Sequence, residues 1–172
     1  STRRVLQKTP ITFDVSVCEL LLPLREGATL VIARPDAHRD PVAIYATVHE
    51  QQITTVHFVP PMLEHFTAAL PLADSPLLPS LEDIVCSGQE LLVTASRSVT
   101  ERLPHITLHN LYGPTEAAVH VTTYTCSPDR QRTSVPIGVP IDNTMAYVLD
   151  VHGELTPVGL PGELHLGGVQ VG

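Results

Sequence analysis

At 172 residues, 43% of them hydrophobic and 16% charged, the chain has the make-up of a globular protein with one substantial core. Its formal net charge of −8, without clustered Lys and Arg, argues against a nucleic-acid partner, and the absence of any run of about 18 apolar residues argues against a membrane span. The opening residues, Ser1 to Val5, lack the apolar stretch of a signal peptide, and Cys18, Cys86 and Cys126 are far apart with no Cys-x-x-Cys pair. Reduced thiols in a cytoplasm are therefore expected, with neither a disulfide framework nor a structural zinc.

In chain order, Phe13-Asp14-Val15-Ser16-Val17 leads into an apolar helix from Val17 to Leu24, with Asp14 placed to cap its first turn. A short strand, Ala28 to Ile32, is entered through Gly27. Asp40-Pro41 then opens a helix that carries Ile44 and Val48 on one face. Thr54 to Phe58 is a strand, and Pro60-Pro61 starts a helix in which Leu63, Phe66 and Leu70 recur with helical period. The proline-rich stretch from Leu70 to Pro79 reads as a surface loop. Strand Leu81 to Val85, a helix from Thr94 to Leu103 and strand Ile106 to Leu111 continue the alternation.

Such alternation predicts an α/β fold, a mainly parallel sheet flanked by helices. After Thr125 proline and glycine become frequent. There Ala146 to Leu149 and Glu163 to Leu166 read as short strands, with Asp150-Val151-His152-Gly153 as a turn. The expected division is an α/β unit, residues 1–125, followed by an incomplete β-rich unit, residues 126–172.

The segment Asn110-Leu111-Tyr112-Gly113-Pro114-Thr115-Glu116 concentrates ligand-binding groups at a strand end. Tyr112 offers an aromatic face, Gly113-Pro114 a tight turn, Thr115 a hydroxyl, and Glu116 a carboxylate able to hold Mg²⁺. Taken alone the segment reads equally as an ordinary turn before a helix. A parallel sheet predicts more, because ligands sit beyond the carboxyl ends of its strands. The proposed strands end at His57, at Ser87-Gly88 and at Leu111-Tyr112-Gly113, so these residues should face one crevice. By itself His57 reads as a hydrogen-bonded core histidine, and Ser87-Gly88 as a turn. Cys86-Ser87-Gly88 is not a Gly-x-Ser-x-Gly elbow, which excludes a serine hydrolase of that type.

Three segments occur in a fixed order: Phe13 to Val17, Asn110 to Glu116, and Gly162-Glu163-Leu164-His165-Leu166-Gly167-Gly168. Together they closely resemble the motifs of adenylate-forming, AMP-binding enzymes, and specifically the adenylation domains of nonribosomal peptide synthetases. His57 to Leu63, Cys86 to Glu90 and Val135 to Gly138 fall where that family has similar stretches, so the resemblance covers essentially the whole chain. It implies a flavodoxin-like subdomain followed by the start of a small β-barrel.

The resemblance also implies ATP and Mg²⁺ as cofactors, and an amino acid activated as its adenylate. The adenylate passes to phosphopantetheine on a separate carrier domain. Peptidyl carrier and condensation domains would be partners, and some members also need a small activating protein. Thr115 and Glu116 would be catalytic, Thr115 toward the α-phosphate and Glu116 as the metal ligand. Gly88, Asn110, Tyr112 and Gly113 would line the adenine site. Asp14 would hold the substrate's α-ammonium group, although as a residue it also reads as a helix cap.

By the same resemblance the side-chain pocket comprises Val15, Cys18, His57, Val85, Ser87, Leu111, Val119 and His120. The set resembles pockets for serine or another small polar amino acid. It departs from them at Cys18, where a large aromatic is common, and at His120, where an acidic residue is usual; a threonine-like, diamino or modified small polar substrate also fits. The family's phosphate loop, ribose-binding aspartate and catalytic lysine are expected outside this segment. Alone it is expected to be inactive, and poorly folded because its barrel is incomplete. An acyl- or aryl-CoA ligase of the same superfamily, which has no ammonium to hold, is the nearer alternative. A non-enzymatic α/β nucleotide-binding module is the further one.

Overall fold

The computed structural model describes residues 2–72, 77–128 and 131–172. Strands β1 (Arg4–Gln7), β2 (Thr29–Ile32), β3 (Thr55–Phe58), β4 (Asp83–Cys86), β5 (Thr107–Tyr112), β6 (Thr122–Thr125) and β7 (Val139–Pro140) form a 7-stranded sheet. Its order is β2-β1-β3-β4-β5-β6-β7. The pairs from β2 to β5 are parallel, while β6 and β7 add antiparallel strands at one edge. Helices α1 (Val15–Glu26), α2 (Pro41–Glu50), α3 (Pro60–Ala69) and α4 (Val93–Arg102) make the crossovers. A separate 2-stranded antiparallel sheet joins β8 (Thr144–Leu149) to β9 (Glu163–Gly168). The mainly parallel, helix-flanked sheet is thus present as the sequence predicts, and a second small sheet begins after it.

The winding reverses at β1. From there the chain steps to β2 on one side and later to β3 on the other, so right-handed crossovers place α1 opposite α2, α3 and α4. Helix α1 packs on β1 and β2, whereas α2, α3 and α4 pack side by side. Alternate strand residues therefore have different fates. Leu6, Val56, Phe58, Ile84, Cys86 and Leu108 are buried in one core with Ile44, Val48, Leu63, Phe66, Ala95 and Val99 of the helices. Phe58 and Phe66 meet at 4.8 Å between ring centroids. The intervening residues Val5, Thr55, His57, Val85 and Leu111 line a cavity instead.

Local chemistry sets the helix ends. The Asp40 carboxylate accepts from the N–H groups of Val42 and Ala43 at 3.1 and 3.0 Å, and Pro41 occupies the first turn, as the sequence predicts. Helix α1 begins two residues before the expected Val17 and continues past Pro23 to Glu26. Gly27 stops it by taking a left-handed φ of 61°, with its N–H bonded to the Pro23 carbonyl. Strand β4 is shifted from the expected Leu81 to Val85, because Leu81 is buried in a turn whose N–H reaches the Leu78 carbonyl at 2.9 Å.

Part of the expected surface loop from Leu70 to Pro79 lies outside the described residues, at 73–76. Of its described residues Pro71, Leu72 and Pro79 are exposed, as expected, whereas Leu70 and Leu78 are 4% and 1% exposed. Arg102 donates to the carbonyls of Thr67, Leu70 and Pro71, tying that flank to α4. The turn at Asp150 to Gly153 exists, with the Asp150 carboxylate accepting from the N–H groups of His152 and Glu154. It returns the chain to a bridge between Leu149 and Leu155 rather than directly into β9.

Candidate functional site

Two concavities meet at the carboxyl ends of β3, β4 and β5, sharing Leu111. The first is a cleft of about 330 Å³ lined by Gly88 to Leu91, Asn110 to Gly113, Val135 and Ile137. Four of the five residues expected around a nucleotide base and its phosphates, Gly88, Asn110, Tyr112 and Gly113, are brought together here. Tyr112 is 38% exposed at the end of β5, so a ring face is available to a planar ligand. Asn110 is buried and donates to the Pro136 carbonyl at 2.8 Å, which fixes the Val135 to Ile137 wall. Gly113 is required by close packing: a Cβ there would lie 2.5 Å from the Val119 carbonyl oxygen.

Beyond Pro114 a short turn, Thr115–Ala117, carries the fifth residue, Thr115, and beside it Glu116, both exposed. Thr115 Oγ1 donates to Asp14 Oδ2 at 2.6 Å, and Asp14 Oδ1 accepts from the Val15 N–H at 2.8 Å. Asp14 is thus both the helix cap and a group facing the turn after β5. Among the described residues no three His, Cys, Asp or Glu side chains converge as a metal cage. A single exposed carboxylate such as Glu116 nevertheless fits Mg²⁺, which binds through one or two carboxylates together with substrate phosphates.

The second concavity holds about 660 Å³. It brings together Cys18 of α1, His57 of β3, Val85 of β4, Leu111 of β5, and Val119 and His120 of the following loop, six of the eight expected side-chain residues. Ser87 stands behind this lining, 1% exposed, and joins it through hydrogen bonds. Val15 is half-buried in the first turn of α1 and is not part of the lining.

Four of these side chains form a chain of contacts. Cys18 Sγ lies 3.7 Å from His120 Nδ1, His120 Nε2 lies 3.1 Å from Ser87 Oγ, and Ser87 Oγ lies 2.8 Å from His57 Nε2. Burial, reinforced by the charges of Lys8 and His120, pushes the His57 pKa down to about 3. Burial also lowers that of His120, against the pull of Asp14, and raises that of the Cys18 thiol. The chain is therefore uncharged at neutral pH. Two atoms on the same sheet face, His57 Nδ1 and Thr55 Oγ1, are buried without a hydrogen-bond partner. The loop that presents His120 is strained, with Ala118 and Val119 at φ of 51° and 76°.

Glu19 was not anticipated from the sequence. It is 3% exposed, and its carboxylate accepts from the N–H groups of Lys8 and Thr9 at 3.1 and 2.9 Å and from Thr9 Oγ1 at 2.7 Å. These bonds lock α1 to the end of β1 and so fix the cavity wall that carries Cys18. An acidic residue inside the otherwise apolar stretch expected from Val17 to Leu24 was the available signal. Beside it the Lys8 ammonium sits 5.0 Å from the Phe58 ring centroid, its pKa lowered by burial against the opposing influence of Glu19.

A doubly wound parallel sheet, with an aromatic-edged cleft and a polar-centred cavity side by side beyond its strand ends, is the arrangement in which α/β proteins bind nucleotides and other small ligands. Comparison narrows the class. The family model for AMP-binding enzymes matches residues 1–172, and the chain belongs to that family. Phosphinothricin tripeptide synthetase PhsB of Streptomyces viridochromogenes is 52% identical over 169 residues, 97% of this chain and 14% of that protein. Among solved structures, the nonribosomal peptide synthetase FmoA3 in its α-methyl-L-serine-AMP bound form superposes with a TM-score of 0.89 at 26% identity. That match covers 98% of this chain and 19% of FmoA3. The Vibrio cholerae adenylation domain AlmE, in complex with glycyl-adenosine-5′-phosphate, matches with a TM-score of 0.84 at 30% identity over 99% of this chain and 32% of that one. The chain thus matches the adenylation domains of nonribosomal peptide synthetases and spans about one seventh of PhsB.

Proposed function

We propose that this segment supplies the amino-acid pocket and part of the ATP site of a synthetase that activates an amino acid as its aminoacyl adenylate. The observation that carries the proposal is the direct contact of Asp14, at the start of the helix that walls the side-chain cavity, with Thr115, in the turn that follows Gly113 of the cleft. The substrate carboxylate attacks the α-phosphorus of ATP; the bond to the leaving pyrophosphate breaks, and the acyl–phosphate bond forms. Both reactants are anionic, so catalysis is a matter of positioning and charge neutralisation. In this reading Tyr112 stacks on adenine, with Gly88, Asn110 and Gly113 at its edge. Thr115 donates to the α-phosphate, and Glu116 would hold Mg²⁺, which supplies phosphate charge neutralisation. Asp14 takes the α-ammonium group, and this favours amino acids over the simple acids used by acyl- and aryl-CoA ligases.

The side-chain cavity points to an uncharged polar substrate. Its central groups, His57, Ser87 and His120, are neutral at pH 7 and both donate and accept hydrogen bonds, as a hydroxyl does. A side-chain carboxylate would find no cation among them. The bound α-methyl-L-serine adenylate of FmoA3 supports the same direction. The adenylate would then pass to phosphopantetheine on a carrier domain, with a condensation domain downstream and, in some systems, a small activating protein.

The test is amino-acid-dependent ATP–pyrophosphate exchange by the full-length protein. We expect exchange with serine or a close hydroxyl-bearing analogue, and Asp14→Ala should reduce it by ~30-fold or more, the size expected for removing one partner of a desolvated charge pair. Exchange that is equally fast with the variant would remove Asp14 from the ammonium site. Activation of carboxylic acids without an amino group would favour a CoA-ligase type of chemistry instead.

A further inference from the structure

Resting on the reading of Asp14 and Thr115 above, we propose that the hydrogen bond between Thr115 and Asp14 couples the amino-acid and nucleotide subsites. The bond spans 101 residues of sequence, from the start of α1 to the turn after β5, at 2.6 Å. It is a hydroxyl-to-carboxylate bond, the short and strong kind. Asp14 Oδ1 accepts from the Val15 N–H and Oδ2 from the Thr115 hydroxyl, so a ligand's donor at Oδ2 shares that oxygen with Thr115.

Proton counting gives the consequence. The Thr115 hydroxyl has one proton and can serve one acceptor at a time. A nucleotide phosphate oxygen, an acceptor only, draws that proton away from Asp14 and leaves Oδ2 an unmatched anion. An ammonium group donating to Oδ2 makes that oxygen a weaker acceptor for Thr115 and so eases the turn of the Thr115 proton to a phosphate. Each ligand weakens the same bond, so the first to bind bears most of the cost of losing it and the second bears less. Positive coupling follows, and linkage makes it equal in both directions.

Glu19 and His120 do not perform this exchange. Glu19 is engaged by Lys8 and Thr9, and the His120 ring nitrogens face Cys18 and Ser87. Thr115 and Glu116 are exposed and Asp14 is only half-buried, so the switch in partners needs no rearrangement of the core.

Calorimetric titration of the full-length protein with L-serine, with and without saturating α,β-methylene-ATP, tests the coupling. The unaltered protein should bind serine at least ~5-fold more tightly with the nucleotide present, the lower end of ordinary coupling. In Thr115→Val, serine binding without nucleotide should tighten several-fold and the nucleotide effect should shrink by the same factor. Thr115→Ser should restore both values. If Thr115 merely props Asp14 in place, Thr115→Val weakens serine equally in both conditions with the coupling intact; that result overturns the inference and leaves the pocket reading standing. Absence of serine binding by the unaltered protein would remove the pocket reading and the inference with it. Unchanged serine affinity in Asp14→Asn would do the same.

Discussion

The two faces of the central sheet are built from the same strands, yet they differ in what their residues do. On one face Leu6, Val56, Phe58, Ile84 and Leu108, all apolar, meet the helices α2, α3 and α4. On the other, Val5, Thr55, His57, Val85 and Leu111 meet α1 and the loop at Ala118 to His120 across a cavity. There His57 Nδ1 and Thr55 Oγ1 lack partners, and two non-glycine residues have left-handed backbones. Alternation along a strand thus lets one element serve stability with half its residues and recognition with the other half. The recognition face carries groups that have no place among the apolar residues of the packed one: a buried imidazole and a threonine hydroxyl beside a cavity, and a loop with two left-handed residues.

Changes on the packed face should be large in stability and silent in selectivity. Phe66→Ala empties a fully buried position against Phe58 and should cost about 3–5 kcal/mol in chemical denaturation, with the order of amino-acid preference unchanged. A changed preference would break the division between the faces.

Acid should act through the open face. His57 is neutral in the fold, with its pKa lowered from 6.5 to about 3, so the unfolded chain takes up a proton that the folded one refuses. Its contribution is complete above pH 6.5 and is lost as pH falls toward about 3. Between pH 7.5 and 4.5 the loss assignable to this group should be about 2–3 kcal/mol. Urea midpoints over that range, compared with those of His57→Asn, isolate it; a parallel slope in the variant would show that His57 is not the source.

A smaller effect is expected at Ser87, whose hydroxyl joins His57 and His120. Ser87→Ala leaves both ring nitrogens short of a partner and should cost about 1–3 kcal/mol, while raising the tolerance for apolar amino acids in exchange assays. Stability lost without a change in tolerance would make Ser87 a structural residue.

The packed face was the more legible one. Helical spacing at Leu63, Phe66 and Leu70, the Asp40-Pro41 start of α2 and the strand-forming stretch from Thr54 to Phe58 each carry their structure in a few adjacent residues. Strands β1 and β6 escaped because Arg4 to Gln7 is flanked by polar ends and Thr122 to Thr125 is dominated by threonine. Their strand character comes from the neighbours they pair with. Leu81 misled for the opposite reason, as an apolar residue buried in a turn. The polar chain on the open face joins positions 18, 57, 87 and 120 from separate elements, so no local pattern could link them. Family resemblance gathered those residues into one pocket; the Thr115–Asp14 bond and the role of Glu19 emerged only from the folded geometry.

The most direct test of the central claim, that the open face and its strand ends select the amino acid to be activated, is a transplant. Residues 13–125 would replace the matching segment of an adenylation domain with a known and different preference, followed by ATP–pyrophosphate exchange across the proteinogenic amino acids. The account predicts a switch to an uncharged, hydroxyl-bearing amino acid, abolished by Asp14→Ala. A folded chimaera that keeps its host's preference would contradict it.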